Sequence, residues 1–394
     1  MKKILYISPY PPVANVQGAG GQIAHYYVNK LAKDTDISLW IICGLPENDI
    51  TSVDFASQGL QAKILIIPQK TFFDRVKSKF NFKLCGILDS NFAYSILKSA
   101  IEIRDIEKFI PDYIILDWED IGYILTDLKK IFPLSIFSVI EQDVISQSLY
   151  RYYKSSRNFV KKWYKWFQFR NCLRLEKQLF TIANHVIVFS KKDEALVREI
   201  FLGAKVSVLV PYYHLYTKIP LQHERVYDIL FYGLMSRKEN YEAAERLIQK
   251  IMPHVPECRC VILGGNTPNS LKKMQNEKVF IAGFQTEEQL EEWFKNSLCM
   301  VVPLIHGAGI KIKVLEAMSA GIPVLTNEIG IEGIPAVDGH DYLHCESNED
   351  FVHGIQALMG NMALAYKIGN NSRQLCEKEF NYEKSSYLNE NIVL

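Results

Sequence analysis

The sequence lacks a long hydrophobic run. None of its 394 residues belongs to a stretch of the ~18 consecutive apolar residues that a spanning helix needs, so no such helix is predicted. The apolar run Ile4–Ile7 is short and is followed at once by prolines, which favours a first β-strand over a signal peptide. We therefore expect a cytoplasmic protein.

A strong net charge and paired cysteine motifs are also lacking. The formal net charge is +1 at pH 7, so attraction to nucleic acid or to a membrane would need a local patch. The eight cysteines are scattered, and Cys258 and Cys260 have no second pair nearby. We expect buried free thiols in a reducing compartment rather than a zinc site.

What is present is an alternation of short apolar strands and helices. Strands are predicted for the segments KILYIS, ISLWIICG, AKILIIP, YIILD, SIFSVI and HVIVFS. A second alternation of strands and helices begins at Asp228. Continuous apolar runs between helices favour parallel sheets covered on both faces. The predicted fold class is α/β, with two Rossmann-like doubly wound domains. These domains are predicted to cover residues 1–215 and 216–375, with their junction near Pro211–Val226. A last helix is predicted within residues 376–394, and we expect it to pack on either domain.

The segment Gly307–Asn327, GAGIKIKVLEAMSAGIPVLTN, follows a strand and opens a helix. Its first two glycines permit a tight turn and close approach of a ligand, and a helix N-terminus suits a diphosphate. Lys311 and Lys313 oppose the helix dipole there, which a bound phosphate would offset. Glu316 can accept hydroxyls of a ribose. The alternative is a plain strand–turn–helix with an exposed charged face.

This segment resembles the signature of glycosyltransferase family 4 (group 1), in the subgroup that reads G-x-G-x-[KR]-x-K-x-L-E-A-M-x-x-G-x-P-V. Further segments of that family have counterparts in this sequence, which they resemble: FYGLMSRKENYEAA, VILGGN, VFIAGFQTEEQLEEWF and IGIEGI. The resemblance implies a GT-B architecture with an interdomain cleft. It also implies a retaining reaction with a nucleotide-diphosphate sugar as donor substrate, no cofactor and no metal. DWED at 117–120 does not have the spacing of a metal-binding D-x-D motif.

Carried over by position, the resemblance assigns the donor site and the catalytic groups. Arg237 or Lys238 would replace the arginine that the family has after the glycine at Gly233, because Leu234 stands there. The first glutamate of the family's E-x7-E pair is absent, since Ala308 stands eight residues before Glu316. The implied catalytic residues are Gln142, Lys313 and Arg237. The implied donor-binding residues are Gly20, Gly21, Lys238, Gly264, Phe284, Gly307, Ala308, Gly309, Ile310, Lys311, Lys313 and Glu316.

The first half is assigned to the acceptor. The loop NVQGAGGQIAH lacks the last glycine of G-x-G-x-x-G, which disfavours a nicotinamide site, and it resembles the family's glycine loop. In SVIEQDVISQSLYR, Gln142 stands at the family's histidine position. A glutamine is not an acid or base, although it can hydrogen-bond a sugar. Asp117, Trp118 and Glu119 end a predicted strand and either face the same site or cap the following helix.

Residues 150–180 form a basic and aromatic segment. It holds nine Lys or Arg, one Glu and ten aromatic residues, and Phe159, Trp163, Trp166, Phe167 and Arg170 fall on one helical face. This composition predicts either an interfacial helix on anionic lipid or a helix packed on its domain with a solvated basic face. No motif supports nucleic-acid binding.

Two functions of different classes remain. The first is a glycosyltransferase that moves a sugar from a UDP- or GDP-sugar to a saccharide, expected to be lipid-linked, in surface polysaccharide or glycoconjugate assembly. Such an enzyme would work at the inner face of the membrane. The alternative is a non-catalytic GT-B protein that holds a nucleotide sugar or a partner enzyme. A sugar-nucleotide epimerase is a weaker third option, because its signature residues are not evident.

Overall fold

The computed structural model describes residues 1–13, 18–46, 55, 60–67, 90–216 and 226–387. The chain forms two compact units, one of Met1–Tyr212 with Glu383–Leu394 and one of Tyr213–Tyr382. Each unit is built on one parallel sheet with helices, as the apolar strand pattern predicts. Residues 217–225 of the expected junction lie outside the described residues.

The first unit holds a seven-stranded sheet in the order β3-β2-β1-β4-β5-β6-β7, and all the pairings are parallel. Residues Ile4–Ile7 of β1 are fully buried, which explains the continuous apolar runs. Its strands are β1 Lys2–Ser8, β2 Ile37–Pro46, β3 Gln61–Ile67, β4 Tyr113–Asp117, β5 Ile136–Glu141, β6 His185–Val188 and β7 Val206–Val208. Its described helices are α1 Ala19–Ala32, α2 Ser90–Asp105, α3 Glu119–Gly122, α4 Leu125–Ile131, α5 Ile145–Ser155, α6 Phe159–Ile182 and α7 Lys191–Ile200.

The second unit holds a six-stranded parallel sheet in the order β10-β9-β8-β11-β12-β13. Its strands are β8 Tyr227–Tyr232, β9 Cys260–Leu263, β10 Val279–Ala282, β11 Ser297–Val302, β12 Val324–Thr326 and β13 Leu343–His344. Its described helices are α8 Lys238–Arg246, α9 Asn269–Lys272, α10 Glu287–Lys295, α11 Ile312–Ala320, α12 Asn348–Gly360 and α13 Met362–Glu379. A π-helical turn, Leu247–Ile251, extends α8.

Local sequence explains where several helices begin and end. Asn158 accepts a hydrogen bond from the Lys161 amide at 3.0 Å and caps α6. Thr286 forms a capping box at the start of α10. Gly321 ends α11 with φ of 80°, a conformation that favours glycine, as predicted. The seven cysteines among the described residues are buried thiols outside any disulfide, also as predicted, and Cys85 is not among these residues.

The C-terminal segment differs from the predicted helix over 376–394. The helix α13 ends at Glu379 and belongs to the second unit, where the Ser372 hydroxyl lies 3.4 Å from the Met318 carbonyl oxygen. After a 3₁₀ turn, Tyr382–Lys384, the chain enters the first unit. There the Lys30 ammonium donates to the Ser385 carbonyl at 2.8 Å. The residues around Ser385, rather than the helix, therefore pack on the first unit.

Candidate functional site

The strand orders locate one candidate site in each unit. In a doubly wound parallel sheet, ligands bind beyond the carboxyl ends of the strands where the strand order reverses. That point lies between β8 and β11 in the second unit and between β1 and β4 in the first. The glycine–lysine loop leaves β11, and Asp117 ends β4. The glycine–lysine loop and Asp117 thus lie at the reversal points, whereas Gln142, Gly264 and Phe284 follow the neighbouring strands β5, β9 and β10.

In the second unit, the loop before α11 is shaped by its glycines and held by Lys311. Gly307 and Gly309 have φ of 135° and 68°, values that favour glycine. The Lys311 ammonium donates to the carbonyls of Ala308 at 2.9 Å and Gly309 at 2.5 Å. It also lies 3.8 Å from a carboxylate oxygen of Glu332. Lys311 therefore closes the loop on itself, which leaves its charge partly compensated.

Lys313 lies in the first turn of α11 and has neutral partners at short range. Its ammonium donates to the Asn240 side-chain oxygen at 2.5 Å and lies 4.7 Å from the centre of the Phe231 ring. The pKa of Lys313 is lowered to about 7, mainly by burial and also by the charges of Arg237 and Lys311, whereas Glu239 opposes the shift. A buried cation with neutral neighbours is costly, and a bound anion would supply the missing charge.

Arg237 and Lys238 begin α8 and both point largely to solvent. Arg237 pairs with Glu239 at 2.5 Å, and its side chain is 56% exposed. Lys238 pairs with Glu242 at 3.2 Å, and its side chain is 62% exposed. Of these two residues, Arg237 is the one whose charge lowers the pKa of Lys313. Arg237, Lys311 and Lys313 therefore form one cationic group at this edge, and Lys238 is not part of it.

Glu316 is buried one turn after Lys313. The Tyr232 hydroxyl donates to its Oε2, and the His214 amide donates to its Oε1 at 3.4 Å. Burial raises the pKa of Glu316 to about 7, although these hydrogen bonds oppose the shift. The carboxylate expected to hold a ribose is thus already oriented by protein donors.

The remaining predicted residues of the second unit have different surroundings. Gly264 packs so closely that a Cβ atom there would lie 1.9 Å from the Gly233 carbonyl oxygen. Its lack of a side chain is therefore required by backbone packing. Ile310 is nearly buried, whereas Phe284 is 58% exposed and available for stacking.

In the first unit, a buried polar network lies at the ends of β4 and β5. Asp117 accepts hydrogen bonds from the Tyr6 hydroxyl at 2.5 Å and from the Gln142 side-chain amide at 3.1 Å. Burial raises the pKa of Asp117 to about 6, and both hydrogen bonds oppose the shift. Gln142 is 9% exposed. Its amide is therefore held in one orientation by a carboxylate.

Gly20 is part of the same network. A Cβ atom at Gly20 would lie 2.3 Å from Gln142 Oε1 and 2.6 Å from the Trp118 ring, so this position has no room for a side chain. Gly21 is buried in α1. Trp118 has φ of 74°, an unusual value for a large residue, and such strain is common at functional sites.

Sequence reasoning did not single out Asn240, Tyr232 or Tyr6. Asn240 lies in the segment FYGLMSRKENYEAA, which resembles the family, but the resemblance assigned no role to this residue. Tyr232 ends β8 and Tyr6 lies inside β1, and an aromatic residue in such a strand is predicted to belong to the hydrophobic core. Nothing in the local pattern indicates that their hydroxyl groups orient carboxylates.

Comparison with known proteins agrees with this organisation. Residues 226–361 match the family model described as Glycosyl transferases group 1. An uncharacterized 44.6 kDa protein in the cps region of Klebsiella pneumoniae is 21% identical over 365 residues, which cover 83% of this chain and 90% of the relative. The match to the family model lies wholly in the second unit.

Solved structures resemble the chain over nearly its whole length. Sucrose-phosphate synthase from Thermosynechococcus elongatus has a TM-score of 0.73 at 17% identity, covering 97% of this chain and 96% of that one. Anabaena HepE in complex with UDP and glucose has a TM-score of 0.66 at 11% identity, covering 97% and 96%. At such identities the likeness shows the fold, which is GT-B. The matched domain and this fold together support a GT-B glycosyltransferase with a group 1 glycosyltransferase domain in its second unit.

Proposed function

We propose that this protein transfers a sugar from a UDP- or GDP-sugar to a hydroxyl of a saccharide acceptor, which is lipid-linked, in the assembly of a surface polysaccharide or glycoconjugate. The reaction retains the anomeric configuration and needs no metal or cofactor. The Klebsiella relative, named for its cps region, supports the polysaccharide context. HepE, whose structure holds UDP and glucose, supports a UDP-sugar as the first donor to test.

The observation that carries this proposal is the ammonium of Lys313. It lies at the N-terminus of α11, beside a loop of glycines with positive φ, and its closest partners are an amide oxygen and an aromatic ring. A donor diphosphate would bring negative charge to this place, and helix N-termini bind such groups. Lys311 and Arg237 add positive charge around it.

The same cations account for catalysis. During transfer, the bond between the anomeric carbon and the phosphate oxygen breaks, and a bond to the acceptor oxygen forms. The acceptor hydroxyl gives up its proton to the solution. The departing nucleoside diphosphate gains negative charge as its bond to the sugar breaks, so fixed cations stabilise the transition state more than the bound donor. Glu316 holds the ribose, and Phe284 stacks on the base.

In the first unit, Gln142 holds the acceptor. Its amide does not ionise near neutral pH and cannot act as a general acid or base, so its role is to hydrogen-bond and orient a sugar hydroxyl. Asp117 fixes the direction of that amide, and Gly20 leaves the space it occupies. Positioning of this kind is a large part of what an enzyme supplies when two substrates must meet.

Calorimetry and thermal unfolding with a set of UDP- and GDP-sugars test the donor site. We expect one nucleotide class to raise the melting temperature, because a ligand that binds only the folded chain stabilises it. Transfer to a saccharide acceptor is then followed by NMR of the new anomeric proton, with and without a chelator. A product of inverted configuration, or activity lost with the chelator, would contradict the proposed reaction.

The alternative, a non-catalytic nucleotide-sugar-binding protein, rests on the absence of a titrating group at position 142. It predicts donor binding with neither hydrolysis nor transfer to any acceptor. The two functions therefore share the binding result and differ in product formation.

A further inference from the structure

The helices α5 and α6 form an antiparallel hairpin joined by residues 156–158. We call the stretch Tyr150–Arg170 the aromatic hairpin tip. In α6, the buried side chains lie on one face of the helix. Gln168, Cys172, Glu176 and Leu179 are all on that face. This face packs α6 on the first unit.

The opposite face of α6 is aromatic and exposed. Phe159, Trp163, Trp166 and Phe167 recur at helical spacing and lie roughly half a turn away from the buried residues. A helix packed on its own domain ordinarily shows polar residues on its outer face. The helix α6 therefore packs on its domain through Cys172 and Leu179, and its aromatic residues lie on the outer face.

Exposure of the aromatic face increases towards the hairpin turn. Phe167 is 43% exposed, Trp163 61% and Phe159 81%. Val160, next to Phe159, is 72% exposed. Trp163 and Phe167 stack with ring centres 6.1 Å apart, so these two rings form one apolar surface. Large apolar side chains grouped in this way mark an interaction surface.

The aromatic hairpin tip is also basic. Residues 144–175 contain eight Lys or Arg and no Asp or Glu. Lys154 lies 5.3 Å from the ring centre of Tyr150, and Lys162 lies 5.5 Å from that of Tyr153. Cations beside Trp, Tyr and Phe suit the boundary between anionic lipid headgroups and acyl chains. Charge complementarity thus favours a lipid surface over an apolar protein groove.

The hairpin extends beyond the carboxyl edge of the first sheet. The C-terminal end of α6 leads into Asn184, whose amide donates to the Phe137 carbonyl near the amino end of β5. Further back, Glu176 accepts a hydrogen bond from the Ser146 amide, which follows the carboxyl end of β5. The residues before Glu176 therefore continue past that edge. From Glu176 to Phe159 the helix adds about 25 Å at 1.5 Å per residue.

We propose that the aromatic hairpin tip binds the surface of an anionic lipid bilayer. Phe159, Val160 and Trp163 enter the interfacial region, and Lys161 and Lys162 contact the headgroups. The described part of the chain has no helix that could span a bilayer, so the tip lies in the interface. This surface brings Gln142, at the carboxyl edge, towards the membrane. That last consequence rests on the proposed lipid-linked acceptor, whereas the binding itself does not.

Vesicle flotation of the full chain tests this surface without any donor or acceptor present. We expect binding to vesicles of phosphatidylcholine with phosphatidylglycerol, and much weaker binding to phosphatidylcholine alone. The double variant Phe159→Ser/Trp163→Ser should bind at least about ten-fold more weakly, because two large apolar side chains no longer leave water. The matched control is Leu134→Ser/Leu202→Ser, which removes two side chains that are 93% and 85% exposed elsewhere in the first unit.

A second pair of variants tests the charges. Lys161→Gln/Lys162→Gln should weaken binding to the anionic vesicles by about ten-fold or more, since each basic residue near such a surface contributes. Lys272→Gln/Lys273→Gln, in the exposed part of the second unit, should change little. Tryptophan fluorescence should shift to shorter wavelength with anionic vesicles, and this shift should weaken in the Trp163 variant.

Three results would overturn the proposal. One is equal binding to neutral and anionic vesicles that the aromatic variant does not reduce. Another is a dimer that dissociates in that variant, which would make a second copy the occupant. The third is binding of single-stranded nucleic acid in place of vesicles. Nucleotide-sugar binding is measured on the same variants, so a failed donor site is distinguishable from a failed membrane surface.

Discussion

The two sheets reverse their strand order at corresponding places, but the side chains at the two reversal points differ. In the second unit, Arg237 and Lys311 lie just before helices and Lys313 lies in the first turn of α11, beside glycines with positive φ. In the first unit, the strand ends carry Asp117 and Gln142, which are joined by a hydrogen bond. The same sheet topology therefore carries a cationic site suited to phosphate in the second unit. In the first unit it carries side-chain oxygens that can accept hydrogen bonds from sugar hydroxyls.

The pKa values show the same division. Burial lowers the pKa of Lys313 to about 7 in the second unit and raises the pKa of Asp117 to about 6 in the first. Burial disfavours the charge of both groups. The Asp117 carboxylate accepts hydrogen bonds from Tyr6 and Gln142, whereas the Lys313 ammonium donates to the neutral Asn240 oxygen. The Lys313 site is the one that gains most from a ligand of opposite charge.

The largest effect is expected for Lys313→Ala. Removing the ammonium should lower kcat for transfer by about 10²- to 10³-fold, the usual cost of losing one group that stabilises transition-state charge. Initial rates of product formation at saturating donor measure this change. Thermal unfolding confirms that the variant is folded.

The matched control is Lys238→Ala, because that lysine lies one residue from Arg237 yet is exposed and paired with Glu242. Its kcat should stay near the parental value. Equal losses of kcat in the two variants would mean that positive charge acts through the general field of the surface. The assignment of a specific cationic site in the second unit would then be contradicted.

A smaller loss is expected for Gly20→Ala. The added methyl group would overlap Gln142 Oε1 and push the amide away from its position. Transfer should fall by about ten- to a hundred-fold, as expected when a positioning group moves, while donor affinity measured by calorimetry stays unchanged. Gly283→Ala is the control, since a Cβ atom there meets nothing within 4 Å. Reduced donor affinity in Gly20→Ala would place this glycine in the donor site instead.

Asp117→Asn should change the pH dependence of stability. The pKa of Asp117 is raised from 3.8 to about 6, so its contribution to stability is present below pH ~4 and is lost as the pH rises through about 6. The loss amounts to about 3 kcal/mol. Urea unfolding between pH 4 and 7 should show a smaller decline in Asp117→Asn than in the parent, and the part that remains comes from the raised pKa of Glu316.

The control for this variant is Asp127→Asn, which alters a carboxylate on the surface that pairs with Lys130. In Asp127→Asn, the free energy of unfolding should decline between pH 4 and 7 as it does in the parent. Transfer by Asp117→Asn should fall by about ten-fold, because the neutral amide oxygen of asparagine binds the Gln142 amide more weakly than a carboxylate does. A variant that keeps full transfer would show that the Gln142 orientation does not matter.

The sequence predicts much of the fold and only part of each site. Strands are recognisable because both faces of each sheet are covered, and Gly307 and Gly309 are recognisable because the local turn needs them. The partners of the charged groups are not recognisable. Asn240 meets Lys313 across 73 positions, and Tyr6 meets Asp117 across 111. Such contacts arise from strand order, which local patterns do not encode.

The hairpin shows a second limit. Helical spacing correctly groups Phe159, Trp163 and Phe167 on one face of α6. It does not tell which face is buried, because Cys172, Leu179 and Phe180 make the opposite face apolar as well. Only the packing of the first unit decides between them.

The smallest effect expected is a fraction of a proton exchanged when the donor binds. A nucleotide sugar keeps its diphosphate charge constant near neutral pH, so it should favour the charged form of Lys313 and raise that pKa from about 7. At pH 8 the ammonium is then mostly lost in the free protein and regained in the complex, which gives proton uptake. A ribose hydroxyl that donates to Glu316, whose pKa is about 7, gives the opposite sign.

Calorimetry in buffers of different ionisation enthalpy separates these two contributions. Lys313→Arg stays charged at every accessible pH, so donor binding to it should release protons through Glu316 alone. Glu316→Gln should show greater proton uptake than the parent, because only Lys313 then titrates. Affinity in Glu316→Gln should fall by up to about ten-fold per pH unit above 7, while Lys313→Arg should lack this decline. If Lys313→Arg still took up protons, another group would face the diphosphate, and the cationic site would have to be reassigned.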